Sequence, residues 1–439
     1  MQSILLKRGR IIDPAQGKDE IGDILLSSGY IRSSNQQDKA AIEYDCTGFF
    51  ILPGLIDIHT HIVPSRTPLG IMPDATCLVT GVTTAFDAGS CGSATFADFR
   101  AIAKRSKTTI YSLLHVSQIG LSSAGCAGFG VGECDNIADV QIANAIDCAH
   151  ANLDLVKGIK VRLTESVCGP SGVNEAEAYR RALTIRNATK LPLMVHHVIS
   201  TIPTAPMCQS QHDGYDHKLT CPGCLQQGEI YTHCFAGVRD NIIGFESGTQ
   251  TQNGSNCKPT VLPGVLNARE RGVLFDVGHG QGSFSWQVAE IAAAYQFWPD
   301  IISTDLHAES INGPAYSLPH VMSKMLHLGM PLTDVIRAVT QRPAQALSLQ
   351  GVGMLVPGFQ ADVTVMRLSD KEFKLEDSHG IVRTLSKVFE PIFVIKNGFR
   401  YNCTFGIYQN PCIESLEKLK TIQNSLSMRY GSGLPSSLA

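Results

Sequence analysis

The sequence predicts an α/β fold: a (β/α)8 (TIM) barrel joined to a small β-sandwich domain built from both chain ends. Three observations lead there. Eight short apolar runs each end in polar or small residues. Amphipathic helical stretches lie between them. The segments before and after this alternation carry strand signals without helices.

The barrel strands are expected at Leu55–His61, Thr83–Ala88, Ile110–His115, Leu155–Leu163, Leu193–His197, Ile230–Cys234, Val273–Val277 and Ile301–Leu306. Helical spacing is clearest at Phe96–Lys107, Ala138–Ala151, Glu175–Thr189 and Gln287–Tyr295. An open doubly wound sheet is the competing architecture, but no Gly-rich dinucleotide loop follows the first strand. At the N-terminal end, Ser3–Asp13 and Ile21–Ile31 read as strands joined through Pro14 and Gly17. After the barrel, Gly358–Val365 and Val388–Arg400 do the same, the latter turning at Lys396-Asn397-Gly398. The expected division is therefore 1–52 with 350–405 as the β domain and 53–349 as the barrel. Residues 406–439 form a tail with an amphipathic stretch, Ile413–Gln423.

The 439 residues carry a formal net charge of −3, with 44% hydrophobic and 17% charged residues. That balance suits a globular enzyme and gives no reason to expect a nucleic-acid or anionic-membrane partner. Lys7, Arg8 and Arg10 interrupt the N-terminus before a signal-like segment develops, so a cytoplasmic location is expected. The fourteen cysteines are dispersed and read as free thiols. Expected partners are a small-molecule substrate and, optionally, further copies of the chain.

The chemistry concentrates where barrel strands end, which is the catalytic face of such barrels. Strand alternation along Leu55–Ile62 is expected to turn Asp57, His59 and His61 into the mouth and Ile56, Ile58 and Ile62 toward the helices. Two imidazoles on one strand face can hold a cation, although a single His-x-His is weak evidence. On the fourth strand, parity turns Lys160 and Arg162 inward, where unpaired cations are costly. Lys157 falls near the strand start and reads as a surface lysine. The fifth strand supplies His196 or His197, only one of which can point inward, and the sixth supplies His233. The eighth ends in Ser303-Thr304-Asp305-Leu306-His307, placing an acid in the mouth; Asp305 as a helix N-cap is the plainer alternative.

This ligand order resembles the amidohydrolase superfamily, and more narrowly its amidohydrolase/deacetylase group of dihydroorotase-like metallohydrolases. The similarity is carried by Pro53-Gly54-Leu55-Ile56-Asp57-Ile58-His59-Thr60-His61, Asp87-Ala88-Gly89-Ser90 and Gly158-Ile159-Lys160-Val161-Arg162. It continues through Leu193-Met194-Val195-His196, Tyr231-Thr232-His233-Cys234-Phe235, Asp276-Val277-Gly278-His279-Gly280 and Ser303-Thr304-Asp305-Leu306-His307. The resemblance implies two divalent ions, zinc being the first expectation. His59 and His61 would bind the more buried ion and His196, chosen over His197, and His233 the second. Lys160 would be carbamylated and bridge both, and Asp305 would bind the buried ion and act as the acid/base.

The remaining candidates concern substrate. Dihydroorotases proper carry an arginine two residues after the second strand-one histidine, where this chain has Val63. Arg162 offers either an alternative carboxylate grip or a structural ion pair. His279 and His307 offer substrate hydrogen bonds or support behind the ligands, and Gly280 lies in a Gly-rich loop that admits substrate close to backbone or is simply a tight turn. Residues 207–224, with Cys208, His212, His217, Cys221 and Cys224, read as a loop insertion, with a small zinc knuckle as the sharper alternative. The expected function is a metal-dependent hydrolase that deacylates a small acylated amino acid or α-hydroxy acid. The alternatives are a cyclic amide hydrolase of the dihydroorotase/hydantoinase type and a non-catalytic barrel scaffold.

Overall fold

A computed structural model describes residues 2–33, 40–121, 131–204, 219–245 and 258–404. Expectations for the tail at 406–439, and for Cys208, His212 and His217, lie outside the described residues.

Strands β1 (Ile4–Asp13), β2 (Lys18–Ser27), β3 (Tyr30–Arg32), β4 (Ile42–Asp45) and β5 (Phe50–Pro53) open the chain. The barrel strands follow as β6 (Leu55–Thr60), β7 (Val82–Asp87), β8 (Thr109–His115), β9 (Val156–Leu163), β10 (Leu193–His197) and β11 (Ile230–Thr232). A two-stranded excursion, β12 (Ile243–Phe245) and β13 (Pro259–Val261), precedes the short β14 (Leu274–Phe275). Strands β6 to β11 and β14 pair in parallel in the order β14-β11-β10-β9-β8-β7-β6. The eighth position is filled by residues 301–306. They bridge Asp276 to Ile301 on one side and Thr60 to Leu306 on the other, closing the barrel.

Around it lie α1 (Pro73–Thr76), α2 (Phe96–Ala103), α3 (Ile142–Ala151), α4 (Glu175–Thr189), α5 (Pro263–Glu270), α6 (Trp286–Ala294), α7 (Leu318–His327), α8 (Leu332–Arg337) and α9 (Gln341–Ala346). Helix α4 shows why the spacing folds as it does: Ala178, Tyr179, Ala182 and Ile185 fall on one stripe and are fully buried. Burying a large apolar side chain such as Ile185 stabilises by about 1.5–3 kcal/mol.

The chain ends meet in one eight-stranded sheet, completed by β15 (Val363–Glu376), β16 (Val382–Lys396) and β17 (Phe399–Asn402). Ile4, Leu6, Ile24 and Leu26 from the start pack with Val363, Val365, Phe393 and Ile395 from the end in a core of their own. The turn at Lys396-Asn397-Gly398 has positive φ at Asn397 (50°) and Gly398 (78°), as a two-residue hairpin turn requires. The β15–β16 hairpin is far longer than local pattern suggests. Its alternation is obscured by Asp370-Lys371-Glu372, which are solvated, yet pairing runs on to Glu376 and Val382.

One expectation of strand alternation is corrected. The register of β6 against β7 shifts between Leu55 and Ile56 and again between Asp57 and Thr60, so strict period two fails there. Ile56 and Ile58 pack with Phe86, Leu113, Met194, Ile230 and Ile301, residues drawn from strands around the whole barrel, and therefore fill its lumen. Leu55 and Ile62 belong instead to the layer between barrel and helices. Asp57 is held against the eighth strand, accepting from Thr304 N (3.2 Å) and Thr304 Oγ1 (2.6 Å).

Candidate metal centre

At the ends of β6, β9, β10 and β11 and of the eighth strand, six side chains gather. His59, His61, Lys160 and His233 are buried, whereas His196 and Asp305 are partly open toward the mouth. The ligand atoms of His59, His233 and Asp305 lie within 4.8 Å of one another. Asp305 Oδ1 is 3.1 Å from His61 Nε2 and 3.4 Å from His59 Nε2. The rings of His196 and His233 meet edge to face at 4.2 Å.

Partners behind His59 and His233 fix their tautomers. Thr232 Oγ1 donates to Asp276 Oδ2 (2.6 Å), so towards His59 Nδ1 (3.0 Å) it can only accept. Ser90 Oγ lies 3.1 Å from His61 Nδ1, and Ser90 N donates to Asp87 Oδ2 at 2.9 Å. Gly278 O can only accept, so the 2.6 Å contact from His233 Nδ1 places the proton there. In the rings of His59 and His233 Nδ1 therefore carries the hydrogen and Nε2 presents a lone pair inward. His233 Nε2 is buried without a hydrogen-bond partner.

The lone pair of His59 Nε2 thus faces Asp305 Oδ1 at 3.4 Å, with His61 Nε2 3.1 Å from the same oxygen, a cluster of ligand atoms suited to a cation. The donor set, imidazole nitrogen plus carboxylate oxygen with oriented supports, is one that zinc and similar divalent ions accept. These residues fit such an ion.

Electrostatics agree with that geometry. Burial pushes the His233 imidazole down to about 4 and His59 and His196 well below their ordinary value, keeping them neutral as ligands must be. Burial also lowers the Lys160 amine to about 8. Lys160 Nζ sits 3.2 Å from His59 Nε2 and 3.4 Å from Met194 Sδ. Burial raises Asp276 to about 6, opposed by the hydrogen bonds from Thr232 and Ser303.

The backbone is strained where it carries ligands. His233 (φ 65°) and Asp305 (φ 48°) are both left-handed, a conformation costing about 1–3 kcal/mol in a residue with a side chain. Glycine serves where Cβ cannot fit: at Gly280 (φ 57°) it would stand 2.5 Å from Asp305 Oδ2, and at Gly278 2.2 Å from Thr232 Oγ1.

The other candidates fall differently. His197 turns away from the mouth, with Nε2 on Ile202 O (2.8 Å) and Nδ1 near Tyr231 OH (3.2 Å). Arg162 forms a two-point pair with Glu133, Nε to Oε1 at 2.7 Å and Nη2 to Oε2 at 2.8 Å, with both side chains at least nine-tenths buried. A substrate carboxylate would have to compete with Glu133 there. His279 has both ring nitrogens engaged, Nδ1 with Gly280 O (2.9 Å) and Nε2 with Lys324 Nζ (2.7 Å). His307 Nδ1 accepts from Glu309 N, and its ring lies 6.1 Å from that of His61. Lys157 Nζ bonds Leu153 O near the surface. Cys221 is buried and Cys224 partly so, both as free thiols.

Sequence reasoning missed the orienting layer: Asp276, Thr232, Ser90 and Gly278 behind the histidines, and Lys324 and Glu133 behind His279 and Arg162. Asp276 was within reach, because its parity on the seventh strand points it inward. The partners of the others lie 29 to 173 residues away in sequence, beyond any local pattern.

Imidazoles and an acid converging at the strand ends of a (β/α)8 barrel stand where such barrels carry their active sites. The chain belongs to the amidohydrolase family. The model of that family matches residues 288–400, which include Asp305. A deacetylase of Brucella anthropi is 34% identical over 356 residues, covering 80% of this chain and 79% of its own. A deacetylase of Agrobacterium fabrum is also 34% identical, over 80% of this chain and 78% of its own. Among solved structures, a dihydroorotase superposes with a TM-score of 0.76 at 31% identity, covering 92% of this chain and 98% of that one. No helix among the described residues is long and apolar enough to cross a membrane.

Proposed function

We propose that this hydrolase removes the acyl group from a small acylated amino acid or α-hydroxy acid, using divalent metal held by His59, His61, Lys160, His196, His233 and Asp305. The observation that carries the metal reading is the convergence of the His59, His61 and His233 imidazoles on Asp305. Bound there, divalent cations would supply a nucleophile near neutral pH and polarise the scissile carbonyl. Asp305 holds the position from which a carboxylate takes the proton of the attacking water and returns it to the leaving oxygen or nitrogen. His59 and His233 are kept in one tautomer by Thr232 and Gly278 O, so their rings need no reorientation during the reaction. The buried Lys160 amine is assigned a carbamate, which replaces an ill-solvated cation by two anionic oxygens.

Deacylation is favoured over ring opening by two features. Both 34% identical relatives are named deacetylases. Val63, fully buried and apolar, stands where dihydroorotases place their carboxylate-gripping arginine. Arg162 is assigned to its ion pair with Glu133 rather than to substrate. The test is a panel of N-acetyl amino acids, O-acetyl hydroxy acids and cyclic ureides, followed by acid release. Turnover confined to the cyclic ureides would reverse the choice.

A further inference from the structure

Lys324, on α7, has no role in the reading above, yet it is fully buried behind the centre. Its ammonium hydrogens have three acceptors: His279 Nε2 at 2.7 Å, Pro314 O at 3.0 Å and Glu376 O at 2.5 Å. Phe284 and Trp286 flank it, their ring centres 5.1 and 5.5 Å away. No carboxylate oxygen is among those acceptors. A lysine placed this deeply is costly unless its directed bonds accomplish something.

Those bonds lead to the ligands. Lys324 fixes His279 with Nε2 as acceptor, so Nδ1 donates to Gly280 O. The His279 ring is also stacked on Phe284, centroids 4.6 Å apart and planes 16° from parallel. The backbone on either side of His279 is the part of the seventh-strand loop that touches the centre. Gly278 O orients His233, and Gly280 packs so closely on Asp305 that a Cβ would collide. From the other direction, the loop is pinned by the tip of the β15–β16 hairpin. Trp286 N donates to Asp377 Oδ2 (3.0 Å), Phe284 N to Ser378 Oγ (3.1 Å), and Ser378 N to Phe284 O (3.0 Å).

We propose that Lys324 is a positioning residue of the metal centre: through His279 it couples the hairpin tip of the β domain to the loop that orients His233 and Asp305. This rests on the reading of His233 and Asp305 as metal ligands. The expected size is that of a support behind a metal ligand, about 10–100-fold in affinity.

The experiment titrates metal-free full-length protein with cobalt(II), read by visible absorption, alongside melting temperature and kcat and KM on the best substrate of the acyl panel. The variants are Lys324→Met, His279→Phe, their double, and Ser378→Ala. Lys324→Met and His279→Phe should each weaken cobalt binding about 10–100-fold and lower kcat more than they raise KM. The double should be no worse than either single, because both act along one path. It also leaves no orphaned imidazole nitrogen facing an apolar residue, so it keeps the test open if a single variant misfolds. Ser378→Ala, a milder change on the hairpin side, should shift cobalt affinity in the same direction by a few-fold. Wild-type cobalt affinity and spectrum in the folded double variant and in Ser378→Ala overturn the positioning role while leaving the centre intact. A wild-type protein that binds no cobalt overturns the centre itself and this inference with it.

Discussion

Asp305 meets two demands at once. Under the proposed function it would hold a cation through one oxygen and exchange a proton through its carboxylate, and its backbone is left-handed with Oδ1 3.1–3.4 Å from two imidazoles. Asp305→Asn keeps the shape and removes the basicity. It should fold normally and lower turnover by about a hundredfold or more, as loss of a general acid–base does; near-normal kcat would place the base elsewhere. Lys160 makes a different prediction. Its amine faces a histidine lone pair and a thioether, and burial lowers it to about 8, so the neutral amine needed for carbamate formation is accessible. Lys160→Ala should lose bound metal and activity, Lys157→Ala should keep both, and metal reconstitution of wild type should accelerate with bicarbonate. High-resolution density showing a bare Lys160 amine in active, metal-loaded protein defeats the bridge. At this scale much was legible: β9 pairs with β10 without a shift from Ile159 to Leu163, and Lys160 and His196 do face inward. Strand β6 was legible only in part, because a bulge changes which side chains share a face and period two cannot announce a bulge.

Elements explain how such residues are held. Seven strands and one bridged segment end at the same rim, and the loops beyond them bring the strained positions. Glycine at 278 and 280 follows from that geometry, since each needs positive φ and each lies against a side chain of the centre. Gly280→Ala should therefore act as an active-site mutation although no atom of the glycine side chain exists to be lost. We expect kcat to fall by about tenfold or more, since small misplacements are costly in catalysis, with the barrel still folded by circular dichroism. Unchanged kcat would mean that Asp305 can yield without consequence. The same loop shows where sequence patterns stop. That His279 follows Gly278 is local information; that its Nε2 meets Lys324, 45 residues on, depends on tertiary packing.

Among the described residues, barrel and β domain are joined both by apolar packing, with Ile12, Leu52 and Phe389 in the barrel–helix core, and by a polar weld. Asp362 begins the return of the chain from the barrel to the β domain, and its backbone oxygen accepts from Gly54 N at the start of the first barrel strand. Its carboxylate takes Lys396 Nζ at 2.6 Å, and that ammonium also donates to Thr109 Oγ1 of β8, again at 2.6 Å. Thr364 adds a second junction, accepting from Leu55 N and donating to Gly81 O. Both partners of the Lys396–Asp362 pair are nearly inaccessible, so removing one strands a buried charge. Lys396→Met should cost about 3–5 kcal/mol, while pairing it with Asp362→Asn should recover part of that loss, because a neutral amide is cheaper to leave inside than a carboxylate. Wild type should unfold in one calorimetric transition, with barrel and β domain melting together. In Lys396→Met the transition should move down or divide, whereas a melting temperature unchanged from wild type would show that the apolar cores alone hold the domains together. The proposed metal ligands come from the barrel, while Glu376, Asp377 and Ser378 brace the seventh-strand loop from the β domain. A variant that loosens the weld should therefore lose metal affinity before it loses secondary structure, measurable as cobalt binding and circular dichroism along one denaturant series.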